Sequence, residues 1–223
     1  MLKPVHREIT LRALEGTFGP HALEAIIAAN IHQDIFTSLF GHDHFHFVNN
    51  DFDGSRRYIE EQRGLIKPAL EQGQTLDAWQ AFGRLTHAAQ DFYSHTNYVD
   101  LWLVCQPNDL QPAPAEIDPL DDALIENPAL RSGKFYYPLE AFSFVPGIKK
   151  LVIPHLPRDS HAWMNLDSAK RGPMFEYARY AAIKRTKYEF NLTTRSLALG
   201  LIKIFTEKPS ISCIWNESFH RTE

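Results

Sequence analysis

Residues 85–100 read LTHAAQDFYSHTNYVD. Three metal-binding residue types, His87, Asp91 and His95, recur there at every fourth position. Side chains four positions apart lie on one face of an α-helix, so a helix would align all three. The neighbouring residues are largely apolar, and buried ionisable side chains are costly unless they are paired or bind a metal. The stretch therefore predicts a buried helix that carries metal ligands.

Composition sets the broad class of the protein. The chain has 223 residues, 44% hydrophobic and 22% charged, which is typical of a globular protein and suits one domain over 1–223. The net charge of -4 offers no basic field, so we expect no nucleic-acid partner. Cys105 and Cys213 form no CxxC motif, and free thiols are favoured. The sequence shows neither a signal peptide nor a membrane-spanning run, so we expect a cytoplasmic protein; non-classical secretion, or secretion with removal of a leader, is the alternative.

Helical periodicity predicts an all-α, multi-helix fold. The predicted helices cover residues 5–17, 21–30, 55–72, 75–98 and 174–206, the last as one or two helices. Ser55 and Thr75 are predicted N-caps, and Pro68 should kink or split its helix. Residues 107–157 are rich in Pro and Asp, and we expect a long irregular insertion there with short strands or helical turns.

Further candidate ligands lie outside the helical stripe. His42, His44 and His46 alternate, so an extended segment would project all three to one side. A surface run of histidines also binds metal loosely without a function. His46 is the favoured ligand because the following residues 47–50, FVNN, can pin it in place; His44 is the second choice.

Three other candidates are individually weak. Asp34 follows a predicted helix, His6 lies on the first helix, and His161 stands near Asp167 in the segment SHAWMNLD. Each of them, taken alone, is typical of a surface or structural residue.

Together these residues resemble the superfamily of zinc-dependent phospholipase C and P1-type nucleases, and most closely its HET-C-related branch. That branch typically carries a QDFYSHSNW segment, which residues 85–100 match nearly residue for residue. Shorter anchors occur in the family's order at residues 5–10, 30–34, 46–49 and 161–168. The resemblance implies a mostly helical fold with up to three zinc ions in a cleft.

The resemblance also implies a ligand set for the central ions. His87 and Asp91 would be the central ligands, with Asp91 able to bridge two ions. His46 and Asp34 would complete the first site. His6 would contribute to the site that is shared through Asp91.

A further set of residues would hold the remaining ion. The resemblance assigns His95 and His161 to this ion, with Asp100 or Asp167 as the carboxylate partner. Relatives in the superfamily pair the later histidine with an acid one helical turn on, where this chain has Asn165. One to three zinc ions are therefore expected, although iron and manganese accept the same ligand types.

The implied activity is that of a zinc-dependent phospholipase C. Such an enzyme cleaves phosphatidylcholine-type phospholipid to diacylglycerol and a phosphorylated head group through a zinc-activated water. Asp34 is the candidate catalytic base, or else a ligand. The alternatives are a single-strand nuclease and a non-catalytic, HET-C-like protein whose metal cluster is structural.

Aromatic residues of the insertion are candidates for contact with a phospholipid substrate or, transiently, with a membrane surface. Ordinary packing explains them at least as well. The residues concerned are Phe135, Tyr136, Tyr137, Phe142 and Phe144.

Overall fold

The computed structural model describes residues 1–34, 43–107, 112–145 and 147–207. Within these ranges the chain forms ten α-helices joined by 3₁₀ turns and loops, which confirms the predicted all-α class. The helices are α1 Lys3–Leu14, α2 Pro20–His32, α3 Phe52–Glu71, α4 Thr75–His95, α5 Tyr98–Val104, α6 Asp122–Ile125, α7 Lys149–Val152, α8 His161–Met164, α9 Met174–Arg195 and α10 Leu199–Thr206. None of the described helices is both long and apolar enough to cross a membrane.

Helix α4 is the central element of the fold. It packs against α2, α3 and α9, and nearly all of its side chains from Ala78 onwards are buried. A helix that is enclosed on every side needs close approaches by its neighbours. Gly83 permits one of them, because a Cβ at this position would collide with the carbonyl oxygen of Ile26 in α2. The predicted stripe therefore lies inside the protein.

The helix boundaries correct three of the predictions. Asp51, rather than Ser55, caps α3: its side chain accepts a hydrogen bond from the Gly54 N–H at 3.0 Å, so the helix begins earlier and buries Ser55. Thr75 is the first helical residue of α4 and not its N-cap. Pro68 lies near the end of a continuous α3, so it does not split the helix.

The insertion at residues 107–157 is irregular in its described parts, as predicted. It contains the short helices α6 and α7 together with 3₁₀ turns at Pro114–Glu116, Leu139–Phe144 and Ile153–His155. The predicted strands do not form among its described residues, where the β-pairing is limited to isolated bridges. Recurrent prolines explain this result because they remove the backbone donors that a ladder needs.

Candidate metal centre

Four side chains converge beside the middle of α4 and form what we call the first group: His6, Asp34, His87 and Asp91. One candidate ligand atom of each lies within 4.8 Å of all the others. Helix α1 supplies the first histidine, the turn after α2 supplies Asp34, and α4 supplies the i, i+4 pair. Elements that are distant in sequence therefore deliver two imidazoles and two carboxylates to one point.

Asp91 lies at the centre of this arrangement and is fully buried. Its Oδ1 lies 3.2 Å from His6 Nε2, whereas its Oδ2 lies 3.1 Å from His87 Nε2 and 3.0 Å from His46 Nδ1. Oδ2 is also 3.8 Å from His95 Nδ1. The two oxygens thus face different imidazoles, which is the geometry that a bridging carboxylate requires.

His46 reaches the first group from a tightly constrained turn. Phe47, Asn49 and Asn50 all have positive φ angles, of 49°, 55° and 59°. Asparagine tolerates this region, whereas a bulky residue such as Phe47 is strained in it and must be held by its surroundings. The Asn49 side chain accepts a hydrogen bond from the Phe135 N–H at 2.7 Å. The segment after His46 therefore pins it, as predicted.

His95, His161 and Asp167 form the second group, whose candidate ligand atoms also lie within 4.8 Å of one another. His95 Nε2 lies 3.1 Å from Asp167 Oδ1, and the two imidazole rings meet edge to face at 4.7 Å. His95 ends α4, and His161 begins α8. The stripe on α4 is therefore divided: its first two members belong to the first group and its last member to the second group.

The amine of Met1 lies between the two groups. It donates a hydrogen bond to Asp91 Oδ1 and lies 3.4 Å from Asp167 Oδ1. Burial by itself would lower the pKa of this amine, but the charges of Asp91, Asp167 and Asp34 outweigh burial and raise the pKa to about 11. A cation is thus held at the junction of the two groups.

Hydrogen bonds set the orientation of two of the candidate ligand imidazoles. His6 Nδ1 donates to Gln90 Oε1 at 2.7 Å, and the Gln90 amide nitrogen donates to Thr10 and Thr186 at 3.1 Å each. His95 Nδ1 donates to the carbonyl oxygen of His46 at 2.8 Å. Partners of this kind fix the tautomer of a metal-binding histidine, so Nε2 of both imidazoles is the atom left for a ligand.

The donor set fits a divalent metal. Ligand atoms around a tetrahedral zinc ion, with bonds of about 2.0–2.2 Å, lie roughly 3.3–3.5 Å apart. His6 Nε2 is 3.2 Å from Asp91 and 3.9 Å from Asp34, yet it forms no hydrogen bond within the described part of the chain. Because its Nδ1 carries the proton, a lone pair faces two carboxylates. A cation between them would relieve that repulsion.

Burial keeps three of the histidines in the neutral form that binds metals. It lowers the pKa of His6, and it lowers the pKa of His87 to about 4 and that of His161 to about 3, because the imidazolium form loses its hydration. Neighbouring positive charge adds to each shift: the Met1 amine acts on His6, and other imidazoles act on His87 and His161.

The pKa shifts of Asp91, Asp167 and His95 all favour the charged forms of these side chains. Burial would raise the pKa values of Asp91 and Asp167, but the Met1 amine and the nearby histidines outweigh burial and hold both pKa values well below the usual range. Burial would also lower the pKa of His95, yet the carboxylate of Asp91, supported by Asp167, raises it. The protonated form of His95 therefore persists to a higher pH than in an ordinary histidine, and below this raised pKa a metal at Nε2 would have to displace a proton.

A short extended segment, residues 132–134, connects the elements that carry ligands. The Gly133 N–H donates to the carbonyl of His95, and the Gly133 carbonyl accepts from the Asn49 N–H, both at 2.9 Å. The His161 N–H donates to the carbonyl of Lys134 at 2.9 Å. The loop after His46, the end of α4 and the start of α8 are thus held in register by one piece of backbone.

Both groups border a cavity of about 430 Å³, which we call the metal cavity. Asp34 of the first group and all three residues of the second group line it, together with His46 and several apolar side chains. The apolar lining residues are Met1, Leu2, Pro4, Val48 and Phe135. A molecule bound in the cavity would therefore contact both ionisable and apolar side chains.

Two of the predicted ligands lie elsewhere. Asp100 is an exposed residue of α5 and lines a separate cavity of about 720 Å³, so Asp167 is the carboxylate of the second group. His44 lies in the 3₁₀ turn Asp43–Phe45, where its ring contacts Phe45 and Tyr58. This turn replaces the extended geometry that would align the histidines, so His44 contacts Tyr58 whereas His46 contacts His87. His42 and the side chain of Phe144 lie outside the described residues.

Sequence reasoning missed the residues that support the ligands. Gln90 is fully buried and holds His6, and Gly133 links the ligand-bearing elements. The position of Gln90 is a usable signal, because an amide next to Asp91 in an otherwise apolar helix is costly without partners. The sequence around Gly133 gives no comparable indication of its role.

A family model for the VWA7 N-terminal domain matches residues 12–126, just over half of the chain. The chain belongs to the VWA7 N-terminal domain family. No curated protein and no solved structure was found to match it. The matched part of the VWA7 N-terminal domain contains Asp34, His46, His87, Asp91 and His95, whereas the first helix's histidine and the rest of the second group lie outside it. The resemblance to zinc-dependent phospholipases stays a prediction.

Proposed function

We propose that this protein is a metal-dependent phosphodiester hydrolase whose substrate is a phospholipid. The observation that carries the proposal is the pair of adjacent ligand groups that meet at Asp91 and border one partly apolar cavity. Divalent metals at such a site lower the pKa of water and stabilise negative charge on phosphate oxygens. The reaction would be that of a phospholipase C: water adds to phosphorus, and the glycerol oxygen leaves with a proton as diacylglycerol.

Asp34 is suited to a different role from Asp91. Its side chain is 16% exposed and lines the metal cavity, whereas Asp91 is fully enclosed. Its oxygens lie 3.9 Å from His6 Nε2 and 3.8 Å from His87 Nε2, at the edge of the first group. A carboxylate in this position can bind a metal or accept the proton of the attacking water.

The cavity wall favours a substrate that has an apolar part. A phosphate ester would meet the ligand side chains, while Leu2, Val48 and Phe135 would contact the adjoining glycerol and acyl carbons. A single-stranded nucleic acid fits less well, because its affinity rests largely on basic side chains and this chain is acidic overall.

The test combines metal analysis with turnover. The wild-type protein should contain one to three zinc ions per chain, release phosphocholine from short-chain phosphatidylcholine, and lose this activity on chelation. Asp91→Asn should lower both the metal content and the rate. Asp100→Asn is the matched control, because Asp100 is exposed and outside both groups, and it should retain both properties.

Other outcomes would redirect the assignment. Cleavage of single-stranded DNA without phospholipid cleavage would indicate a nuclease. Metal-dependent folding without turnover of either substrate would indicate a structural cluster. Unchanged metal content in Asp91→Asn would refute the metal centre itself.

A further inference from the structure

One segment of the insertion exposes an unusual concentration of large apolar side chains. Tyr137 is 78% exposed and Leu151 is 72% exposed, and four further apolar side chains between them are at least 40% exposed. Monomeric proteins seldom leave such a run uncovered unless it contacts a partner or a membrane. We call this surface the apolar patch; it consists of Tyr137, Leu139, Phe142, Val145, Ile148 and Leu151.

The charges on the same segment are positive. Lys149 and Lys150 are exposed and lie between two members of the apolar patch. From residue 136 to residue 158 the sequence has one acidic residue, Glu140. Its carboxylate is buried and accepts hydrogen bonds from the N–H groups of Tyr136 and Ala162. An otherwise acidic protein thus presents a basic and apolar surface here.

The apolar patch is attached directly to the second ligand group. Val152 and Leu156 follow the patch and pack on Ala162 in a small cluster that is separate from the main core. Ala162 is adjacent to His161 in α8. On the other side, Phe135 precedes the patch, lines the metal cavity and stacks on His161 with ring centroids 4.8 Å apart. A surface that engaged the patch would therefore lie beside the cavity.

We propose that the apolar patch, with Lys149 and Lys150, docks the protein on an anionic phospholipid surface. Exposed apolar side chains enter the interface between head groups and acyl chains, and adjacent lysines attract anionic head groups. A partner protein with a purely apolar interface would leave both lysines desolvated and unpaired. This inference rests on the proposed function, in which a phospholipid is the substrate, but docking itself requires no catalysis.

Sedimentation of the full chain with vesicles tests the proposal. Binding to vesicles of phosphatidylcholine and phosphatidylserine in equal parts should exceed binding to pure phosphatidylcholine. Lys149→Gln/Lys150→Gln should lower the partition coefficient on the mixed vesicles about 30-fold, since each basic residue contributes about a factor of five at an anionic surface. Leu151→Gln should lower it about tenfold through the loss of apolar insertion.

Matched controls separate the patch from general charge and hydrophobicity. Arg56→Gln/Arg57→Gln removes an adjacent exposed basic pair from α3, and Leu199→Gln removes an apolar side chain that is 71% exposed. Both controls should bind the mixed vesicles as the wild type does. All variants alter exposed residues, and thermal unfolding checks that each remains folded.

The outcomes also separate docking from catalysis. Patch variants should hydrolyse monomeric short-chain phosphatidylcholine at the wild-type rate. A wild-type protein that binds anionic vesicles through the patch but cleaves no phosphodiester would refute the proposed function and leave docking intact. Equal binding to both vesicle types, wild-type binding by the lysine variant, or patch-dependent self-association without vesicle binding would overturn the inference.

Discussion

Gly133→Ala is expected to damage the second ligand group without touching a ligand side chain. A Cβ at this position would lie 2.7 Å from the Cα and 3.1 Å from the backbone nitrogen of His161. These are backbone atoms, so no side-chain rotation can relieve the contact. Either residues 132–134 or the start of α8 must shift. Hydrogen bonds that join Gly133 to His95 and Asn49 resist movement of residues 132–134, so we expect His161 at the start of α8 to move.

The expected magnitude follows from this crowding. Inserting a methyl group into a closely packed site typically costs about 1–3 kcal/mol of unfolding free energy. In a protein of this size each kcal/mol lowers the melting temperature by about 2–4 °C. Displacement of His161 should also weaken metal binding at the second group by about 10–100-fold, the usual effect of disturbing the support of a ligand.

The assay is zinc titration with elemental analysis, together with thermal unfolding of the metal-free protein. Gly64→Ala is the matched control, because Gly64 lies inside α3 and nothing lies within 4 Å of a Cβ there. This control should raise stability by up to about 1 kcal/mol through helix propensity and leave metal binding unchanged. If Gly133→Ala binds zinc and unfolds like the wild type, the role assigned to residues 132–134 is wrong.

Three further predictions concern the surroundings of the ligands and the core. Gln90→Met should weaken metal binding at the first group by about 10–100-fold in zinc titrations, because His6 loses the acceptor that fixes its tautomer. Because the pKa of His95 is raised, metal binding to the second group should displace a proton below that pKa; the affinity should therefore fall as the pH drops through the raised pKa, and calorimetry in buffers of different ionisation enthalpy would measure the proton release. Glu189→Leu should lower the unfolding free energy by about 3–5 kcal/mol in urea titrations, because this buried carboxylate pairs with two arginine side chains.

Short-range regularities account for the parts of the fold that the sequence predicted. The helical repeat around residues 85–95 and the two helices between residues 174 and 206 depend on side chains three or four positions apart. The predicted caps at Ser55 and Thr75 failed because several polar residues compete near each helix start. The choice between them depends on turn geometry, as the capping bond of Asp51 illustrates.

The candidate site likewise has one part that the sequence predicted and one part that depends on tertiary structure. The sequence by itself determined the pair His87 and Asp91, because helical spacing alone brings them together. Only the tertiary structure decided which carboxylate serves His95. Asp100 is five residues away in sequence, but it lies exposed in the first turn of the next helix, whereas Asp167 is 72 residues away and its carboxylate contacts the imidazole. Such a contact depends on how helices pack, and no local spacing encodes it.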